Sequence, residues 1–219
     1  MLKILNKENK NLVLKSEEKE TFFDETSGKT KRIIKLEQGS SLQIFGYFEA
    51  QIDYDLEIFV EGNEADLSLN FFVIGNESEQ MKFKIKTNIF GNSTKANINI
   101  VSFVKNGGLV DIDGIIDVGI NLKKVVGNLN QNNIFLGSKG QIRGIPTLLI
   151  GSDDVKVGHS LTAEKISDEQ LFYLRSRGID ENDSIKFVLN SYFKKTFEGL
   201  EKTNKDFYIS LFERFSKNF

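Results

Sequence analysis

Apolar residues occupy every second position over much of the sequence between Ser40 and Ile150. A period of two is typical of β-strands, whose successive side chains point to opposite faces. The alternating residues are Leu42, Ile44, Leu67, Leu69, Met81, Phe83, Ile85, Ala96, Ile98, Ile100, Val110 and Ile112. Pairs of turn-forming residues recur every 13 to 20 residues, at Gly62-Asn63, Gly75-Asn76, Gly91-Asn92, Gly107-Gly108 and Gly127-Asn128. This region is therefore predicted to consist of short strands and turns.

Regular strand and turn spacing is compatible with a sandwich, an up-and-down barrel or a β-helix, because each repeat must bury its apolar face against a neighbour. The 19 phenylalanines would suit stacked ladders inside a β-helix and the core of a sandwich equally well. Composition and spacing leave the three architectures open.

The period changes after Pro146, the only proline. Ser167 to Gln170 matches a capping box and predicts a helix that ends at Gly178. Asp180 is expected to cap a second helix, and Lys205 to Ser216 to form a third. The apolar stripes of these two helices are Ile185, Val188, Leu189, Tyr192, Phe193 and Phe197, and then Phe207, Leu211, Phe212 and Phe215.

These patterns divide the chain into an N-terminal segment at 1–35, a β-rich body at 36–160 and a helical domain at 161–219. Residues 1–30 are too polar for an assignment and are expected to be a frayed end. The division predicts one β-rich core with a small helical appendage.

Charge and composition exclude several functions. Lys and Arg number 29 against 31 Asp and Glu, a net charge of −2 without a long basic run, so a nucleic-acid partner is not expected. No Walker sequence, signal peptide or membrane-length apolar segment is present, so we expect a cytoplasmic chain that binds no nucleotide itself. With no cysteine, the chain can form no disulfide, thiolate nucleophile or Cys-ligated metal site.

A few polar residues could carry chemistry. Asp111 and Asp113 share one strand face roughly 7 Å apart, but a solvated outer face is the favoured interpretation. Asp153 and Asp154 are adjacent, so in a strand they would point in opposite directions and form a poor paired-carboxylate site. His159 is the only histidine, and from the residues alone a structural role is favoured over metal binding.

Two long motifs then point to a known family. Pro146 to His159 reads PTLLIGSDDVKVGH and resembles the P-x-L-x-I-x-A-D-D-V-K-x-S-H-G segment of the SufB/SufD family. Asp168 to Ile179 reads DEQLFYLRSRGI and is similar to that family's D-E-x-L-F-Y-L-x-S-R-G-I helix. Gln131 to Leu136 resembles the segment that precedes them. The likeness is close from about Val110 to Tyr192 and architectural upstream of it.

The resemblance implies a mostly β protein, a right-handed parallel β-helix with a small C-terminal α-helical domain. It implies a non-catalytic scaffold in SUF-type iron–sulfur cluster assembly rather than an enzyme. In the family, the helical domain docks a SufC-like ABC ATPase, and the end of the β-helix pairs with a second subunit. Here that subunit would be a SufB-like chain or a second copy. ATP-driven movement is expected to rearrange the pairing and expose the site of cluster chemistry.

The same resemblance implies the site residues. The candidate cluster site and subunit interface comprise His159, Asp153, Asp154 and Lys156, with His159 as the metal ligand. No cofactor is expected in the isolated chain, and a transient cluster is expected only in the complex. The predicted ATPase-docking residues are Gln170, Phe172, Tyr173, Arg175, Arg177 and Gly178.

The chain also departs from the family pattern. Ser-His-Gly becomes Gly158-His159-Ser160, and the sulfur-accepting cysteine of SufB has no counterpart. At most about 40 residues precede the predicted strands, so the resemblance is closest to a truncated SufD-like protein. His159 remains either functional or an interface-packing residue. A self-associating β-helical structural protein without a cluster role is the alternative function. A carbohydrate-active enzyme would need a secretory signal and an acidic groove, and neither is evident.

Overall fold

The computed structural model describes residues 1–217, which form fourteen β-strands and three α-helices. Residues 218 and 219, the end of the predicted helical domain, lie outside the described residues. The strands are β1 (Leu2–Leu5), β2 (Asn11–Leu14), β3 (Lys19–Asp24), β4 (Gly28–Leu36), β5 (Ser41–Phe48), β6 (Ile52–Val60), β7 (Asp66–Gly75), β8 (Gln80–Ile89), β9 (Lys95–Val104), β10 (Leu109–Val118), β11 (Lys123–Phe135), β12 (Gln141–Arg143), β13 (Pro146–Ile150) and β14 (Asp154–Lys165). The helices are α1 (Asp168–Ser176), α2 (Glu181–Thr203) and α3 (Lys205–Ser216).

Successive strands alternate between two parallel sheets. The first sheet has the order β1-β3-β5-β7-β9-β11-β14 and the second the order β12-β10-β8-β6-β4-β2, with β13 also paired to β10. Each coil of the chain therefore contributes one strand to each sheet. Asn70, Asn99 and Asn130 are direct neighbours across three strands, so one coil takes about 30 residues. This arrangement is a parallel β-helix and confirms the predicted fold.

The interior of the β-helix is built by the alternating apolar residues, which are all buried, as the sequence predicts. Stacked coils bring their rings together inside, where Phe48 lies 5.2 Å from both Phe71 and Phe83, centroid to centroid. Tyr54 joins this cluster from the neighbouring strand. Phe48, Phe71 and Phe83 thus stack inside the β-helix. Other phenylalanines pack in a second core beneath the helices.

Four of the five predicted Gly-containing turns lie at corners between the sheets, but the turn predicted at Gly127-Asn128 is wrong. Both residues lie within β11, paired on both sides. A Cβ at Gly127 would come within 3.2 Å of Val157 Cγ1 on β14. The glycine accommodates close packing between coils here, a role that sequence cannot distinguish from a turn.

The N-terminal 36 residues also differ from the expectation. They are not a frayed end, because β1 to β4 extend both sheets and bury Leu5, Leu14 and Phe23. Their strands are short and rich in Lys and Glu on the outer face, which obscures the alternation. At the other end of the body, β14 continues to Lys165.

A buried polar network fastens this N-terminal region. The Arg32 guanidinium donates from Nε to Asp24 Oδ2 at 3.0 Å and from Nη1 to the carbonyls of Asn6 and Asn9 at 2.8 and 2.7 Å. Tyr54 donates its hydroxyl to the same carboxylate at 2.7 Å. Burial, followed by the nearby Asp24 charge, raises the pKa of Tyr54 well above its ordinary value. The loop between β1 and β2 is therefore held from inside the β-helix.

Helices α2 and α3 cover part of the outer face of the first sheet. Leu189, Phe193 and Phe197 are buried there, as their spacing predicts. Phe193 stacks on Phe215 of α3 with ring centroids 4.5 Å apart. Arg214 forms an ion pair of 2.7 Å with Glu25, beyond the end of β3. These contacts attach the helical domain to the early coils.

The helix ends follow the sequence only in part. Asp180 accepts a hydrogen bond from the Asp183 amide at 2.9 Å, which confirms the predicted cap of α2. Ser167 stands at the start of α1 but makes no side-chain capping bond, so the predicted capping box is wrong. Gly178 has a φ of +84°, consistent with its predicted role in ending α1. No helix within residues 1–217 is long and apolar enough to cross a bilayer.

Candidate functional site

Strand β14 forms one edge of the first sheet. Its twelve residues pair with β11 on one side, and no strand within the described residues pairs with its other side. An unpaired edge exposes backbone donors and acceptors that another strand can use. Together with β12 and β13, which end the second sheet, β14 forms the open end of the β-helix.

The only histidine lies on the inner side of this edge strand. His159 is in register with Leu129 of β11, a buried residue of the interior core, and side chains in register share one face. His159 is nevertheless exposed, because no further strand covers β14 within the described residues. Beside it, Leu161 is in register with the buried Gln131. The imidazole is thus directed toward the interior side at the open end.

The other residues of the predicted cluster site lie apart from the histidine. Asp153, Asp154 and Lys156 line a surface cavity of about 360 Å³ at the corner before β14, together with Lys124. Lys156 is three residues before His159 and, by the strand period, on the opposite face, about 10 Å away along the strand. The structure therefore brings the two aspartates and the lysine together but does not bring His159 to them.

The described residues contain no cluster of three or more His, Asp or Glu side chains able to hold a metal ion. One exposed imidazole offers a single nitrogen ligand, whereas iron and zinc sites need several. Within residues 1–217, the side chains beside His159 do not add to it a group of three such ligands.

The open end is also apolar. Ile145, Leu149, Ile150 and Leu161 are each at least 42% exposed. Leu148, Val155 and Val157 are only partly buried against the interior core. Exposed apolar residues that adjoin an unpaired strand edge are typical of a protein–protein contact surface.

A row of hydrogen-bonded polar side chains crosses the outer face of the first sheet and ends on β14. Asn99 donates to Asn70 at 3.2 Å, Asn130 donates to Asn99 at 3.0 Å, and the Ser160 hydroxyl donates to Asn130 at 2.8 Å. Each residue is one coil further along the chain. The row fixes the outer side chains up to the unpaired edge.

The outer face of the second sheet carries rows of alternating charge. Asp111 lies beside Lys82, and Asp113 beside Lys84. Asp113 also accepts a hydrogen bond from the Ile145 amide at 3.2 Å. These aspartates belong to a solvated, charge-compensated face, which agrees with the favoured interpretation of the sequence.

A second candidate surface is the groove between α1 and α2, with a volume of about 680 Å³. Its lining is mainly aromatic and aliphatic: Glu169, Gln170, Tyr173 and Leu174 from α1, and Phe187, Val188, Ser191, Tyr192 and Lys195 from α2. Helix α1 has no buried residue. A helix with this composition and so little burial is typical of one that packs against a partner.

The predicted docking residues lie near this groove, but only some of them line it. Gln170 and Tyr173 line it, whereas Phe172 is 74% exposed outside it. Arg177 lies over the Tyr173 ring, 5.4 Å from its centroid. Arg175 is 3.7 Å from Glu181 in an exposed ion pair. Gly178 follows at the helix end.

Sequence reasoning missed Phe187. It is 60% exposed on α2 and lines the groove opposite α1. Its position falls off the apolar stripe that packs α2 on the sheet. A large aromatic residue on the polar side of an amphipathic helix was the signal that could have found it.

Only Ile166 and Ser167 separate the two surfaces along the chain, because β14 ends at Lys165 and α1 begins at Asp168. The edge strand and the groove-forming helix are therefore directly connected. A link of two residues thus joins α1 to the end of β14.

Comparison with known proteins places these features in a family. Residues 26–192 match the family described as SUF system FeS cluster assembly, SufBD core domain. The chain is 35% identical over 111 residues to the iron-sulfur cluster assembly protein SufD of Escherichia coli, covering 51% of this chain and 26% of that protein. It is 30% identical over 102 residues to SufBD family proteins of Staphylococcus haemolyticus and Staphylococcus aureus, covering 47% of this chain and 22% of each relative. The matches thus span about a quarter of these relatives.

Proposed function

Because this chain belongs to the SufBD family of the SUF iron–sulfur cluster assembly system, we propose that it is a scaffold subunit of such an assembly complex. It docks a SufC-like ABC ATPase through its C-terminal helices and pairs with a SufB-like or identical subunit through the open end of the β-helix. The observation that carries this proposal is the pair of uncovered surfaces, the β14 edge and the α1–α2 groove, separated by two residues.

The groove supports ATPase docking through both its chemistry and its attachment. Exposed aromatic side chains at Tyr173 and Phe187 supply the apolar contact area typical of interface centres. Arg175 and Arg177 add positive charge at the rim, where charge contributes mainly to specificity and association rate. One wall of the groove is α2, which is anchored on the sheet through Phe193. The other wall is α1, which has no buried residue.

Charge reversal tests this docking. Arg175→Glu with Arg177→Glu should reduce co-purification with a SufC-like ATPase while leaving the circular dichroism spectrum unchanged, because both side chains lie on the surface. Lys7→Glu with Lys10→Glu is the matched control, an equal charge change on the exposed loop between β1 and β2. ATPase binding that survives the arginine reversals and the additional change Phe187→Ser would contradict the docking assignment.

Cluster chemistry at the open end would depend on the partner. His159 can supply one imidazole nitrogen, and the remaining ligands must be thiolates or carboxylates of the second subunit. The cluster is then cargo held between chains during assembly. The isolated chain should accordingly stay colourless after anaerobic reconstitution with iron and sulfide.

Two substitutions separate a chemical role of His159 from a packing role. In the reconstituted complex, His159→Ala should reduce cluster assembly without affecting folding or ATPase binding. His159→Gln keeps hydrogen bonding and bulk, so it should rescue assembly only if the residue packs the interface. Normal cluster assembly with both variants would show that His159 has no functional role.

A self-associating structural protein is the alternative function, and the apolar open end is the observation that favours it. Such a protein would form extended polymers through strand edges and would ignore the ATPase. Analytical ultracentrifugation with and without the ATPase distinguishes the two functions. A scaffold should give a closed complex of defined mass.

A further inference from the structure

We propose that Asn106 is a site of spontaneous deamidation, and that the next corner of the β-helix slows this reaction in the folded chain. Asn106-Gly107 is the only Asn-Gly pair in the sequence. Both residues are exposed, in the turn between β9 and β10. Asparagine side chains are chemically labile, and glycine lacks the Cβ that would shield its own amide nitrogen. The pair therefore combines the two residue types that favour this reaction with access to water.

Deamidation at this pair needs only water as a co-reactant. The Gly107 amide nitrogen attacks Cγ of Asn106, and the bond from Cγ to Nδ2 breaks. The Nδ2 group leaves as ammonia together with the proton of the Gly107 amide, and a succinimide ring remains. Water then opens the ring at either carbonyl. The products are aspartate, and isoaspartate, in which the main chain runs through Cβ and Cγ.

In the folded chain both reacting groups are held by Lys139, in the corner between β11 and β12 one coil further on. The Lys139 amide donates to Asn106 Oδ1 at 3.0 Å, and the Gly107 amide donates to the Lys139 carbonyl at 3.3 Å. Ring closure requires the Gly107 amide to lose its proton and the Asn106 side chain to turn toward its own main chain. Both hydrogen bonds must therefore break before the reaction can proceed.

The corner that contains Lys139 also has room for the Asn106 side chain. Gly137 lies directly against it, and a Cβ at position 137 would overlap the Oδ1, Cγ and Nδ2 atoms of Asn106. On the other side, the Gly107 carbonyl accepts a hydrogen bond from the Ser78 amide of the preceding coil at 3.2 Å. The coils before and after thus both hold the Asn-Gly pair in place.

The two products should differ in their effect on the end of the second sheet. Aspartate keeps a side-chain oxygen in the place of Oδ1, so the Lys139 amide keeps its acceptor. Isoaspartate lengthens the main chain at the turn and displaces that acceptor. The corner continues into β12 at Gln141, whose amide donates to the Gly108 carbonyl at 2.9 Å. Isoaspartate at position 106 should therefore loosen β12 from β10, whereas aspartate should not.

Reaction rates in the folded and the unfolded chain test the protection. The purified chain is incubated at mildly alkaline pH with and without guanidinium chloride, and peptide mapping with isoaspartyl methyltransferase labelling measures the product at residue 106. Because two hydrogen bonds of ordinary strength oppose ring closure, the folded chain should react about tenfold more slowly. Equal rates in the two states, or no product at residue 106 in the unfolded chain, would overturn the proposal.

A substitution in the neighbouring corner tests the role of that corner without changing the Asn-Gly pair. Gly137→Ala should displace the Asn106 side chain and raise the rate in the folded chain toward that of the unfolded chain. Gly158→Ala is the matched control, because nothing lies within 4 Å of a Cβ at that position, and it should leave the rate unchanged. An unaltered rate in Gly137→Ala, with the circular dichroism spectrum retained, contradicts the proposal. If Gly137→Ala does not fold, the rates in the unsubstituted chain decide.

Hydrogen exchange separates the effects of the two products. The Lys139 and Gln141 amides should exchange faster in the chain that carries isoaspartate at position 106 than in Asn106→Asp, which reproduces the other product. Equal exchange in the two forms would refute the loosening of β12. These measurements involve neither the ATPase nor a second subunit, so their outcome is independent of the proposed function.

Discussion

Replacing Arg32 by methionine should destabilise the N-terminal coils by about 3–5 kcal/mol, the cost of breaking a buried ion pair by removing one partner. The Arg32 and Asp24 side chains are fully buried and 3.0 Å apart. The substitution leaves the carboxylate without its cation and the carbonyls of Asn6 and Asn9 without their donor. Methionine fills similar volume, so the lost polar contacts dominate the effect.

The neighbouring residue provides the control. Lys31 forms a surface ion pair with Asp55 at 3.5 Å, with its side chain 64% exposed, so Lys31→Met should cost less than about 1 kcal/mol. Urea unfolding followed by circular dichroism gives the free energy of unfolding. Hydrogen exchange of β1 and β2 detects a loss confined to the first coils, as expected in a repeat architecture. Equal effects of Arg32→Met and Lys31→Met by both measurements would refute the reasoning.

Three further substitutions and one control probe other parts of the fold. Burial raises the pKa of Tyr54 above the unfolded value of about 10, so the free energy of unfolding should fall as pH rises above about 10. Tyr54→Phe should make that fall shallower, as measured by urea unfolding at several pH values. An unchanged dependence of the free energy of unfolding on pH contradicts this. Phe193→Ala should cost about 3–5 kcal/mol and expose the helices to proteolysis, whereas Phe187→Ala should do neither. Gly144→Ala should impair the open end, since its φ is +119° and a Cβ would lie 2.0 Å from Ile112 O; unaltered hydrogen exchange in β12 and β13 would count against it.

The period-two pattern predicted the strands of the β body well because the interior admits only apolar side chains at alternate positions. It could not choose between a sandwich and a β-helix, since both bury one face of each strand, and the choice came from the family resemblance. The first coils escaped detection because their strands are short, and because Arg32, the residue that secures them, is charged. A buried ion pair cannot be read as core from sequence alone.

The candidate site residues remain a prediction, and the structure shows where they lie. The motif around His159 lies on β14, and the helix motif forms α1, where Gln170 and Tyr173 line the groove. His159 was grouped with Asp153 and Asp154 because the three residues are close in sequence. In the structure, strand alternation and the corner before β14 keep the two aspartates away from His159. Phe187 was overlooked because a helical stripe identifies the buried face and gives no information about residues off it.

The attachment of the helical domain has a consequence for how the molecule comes apart. A plain stack of coils frays from its last repeat, since each repeat contacts only its neighbours. Here the chain leaves the last coil at Lys165 and returns to pack Phe193 and Phe207 against rings of the early coils, including Phe23 and Phe72. The final coil is thereby tethered at both ends, and its loss requires release of the helices as well. The final coil should therefore not be the first part of the β-helix to unfold.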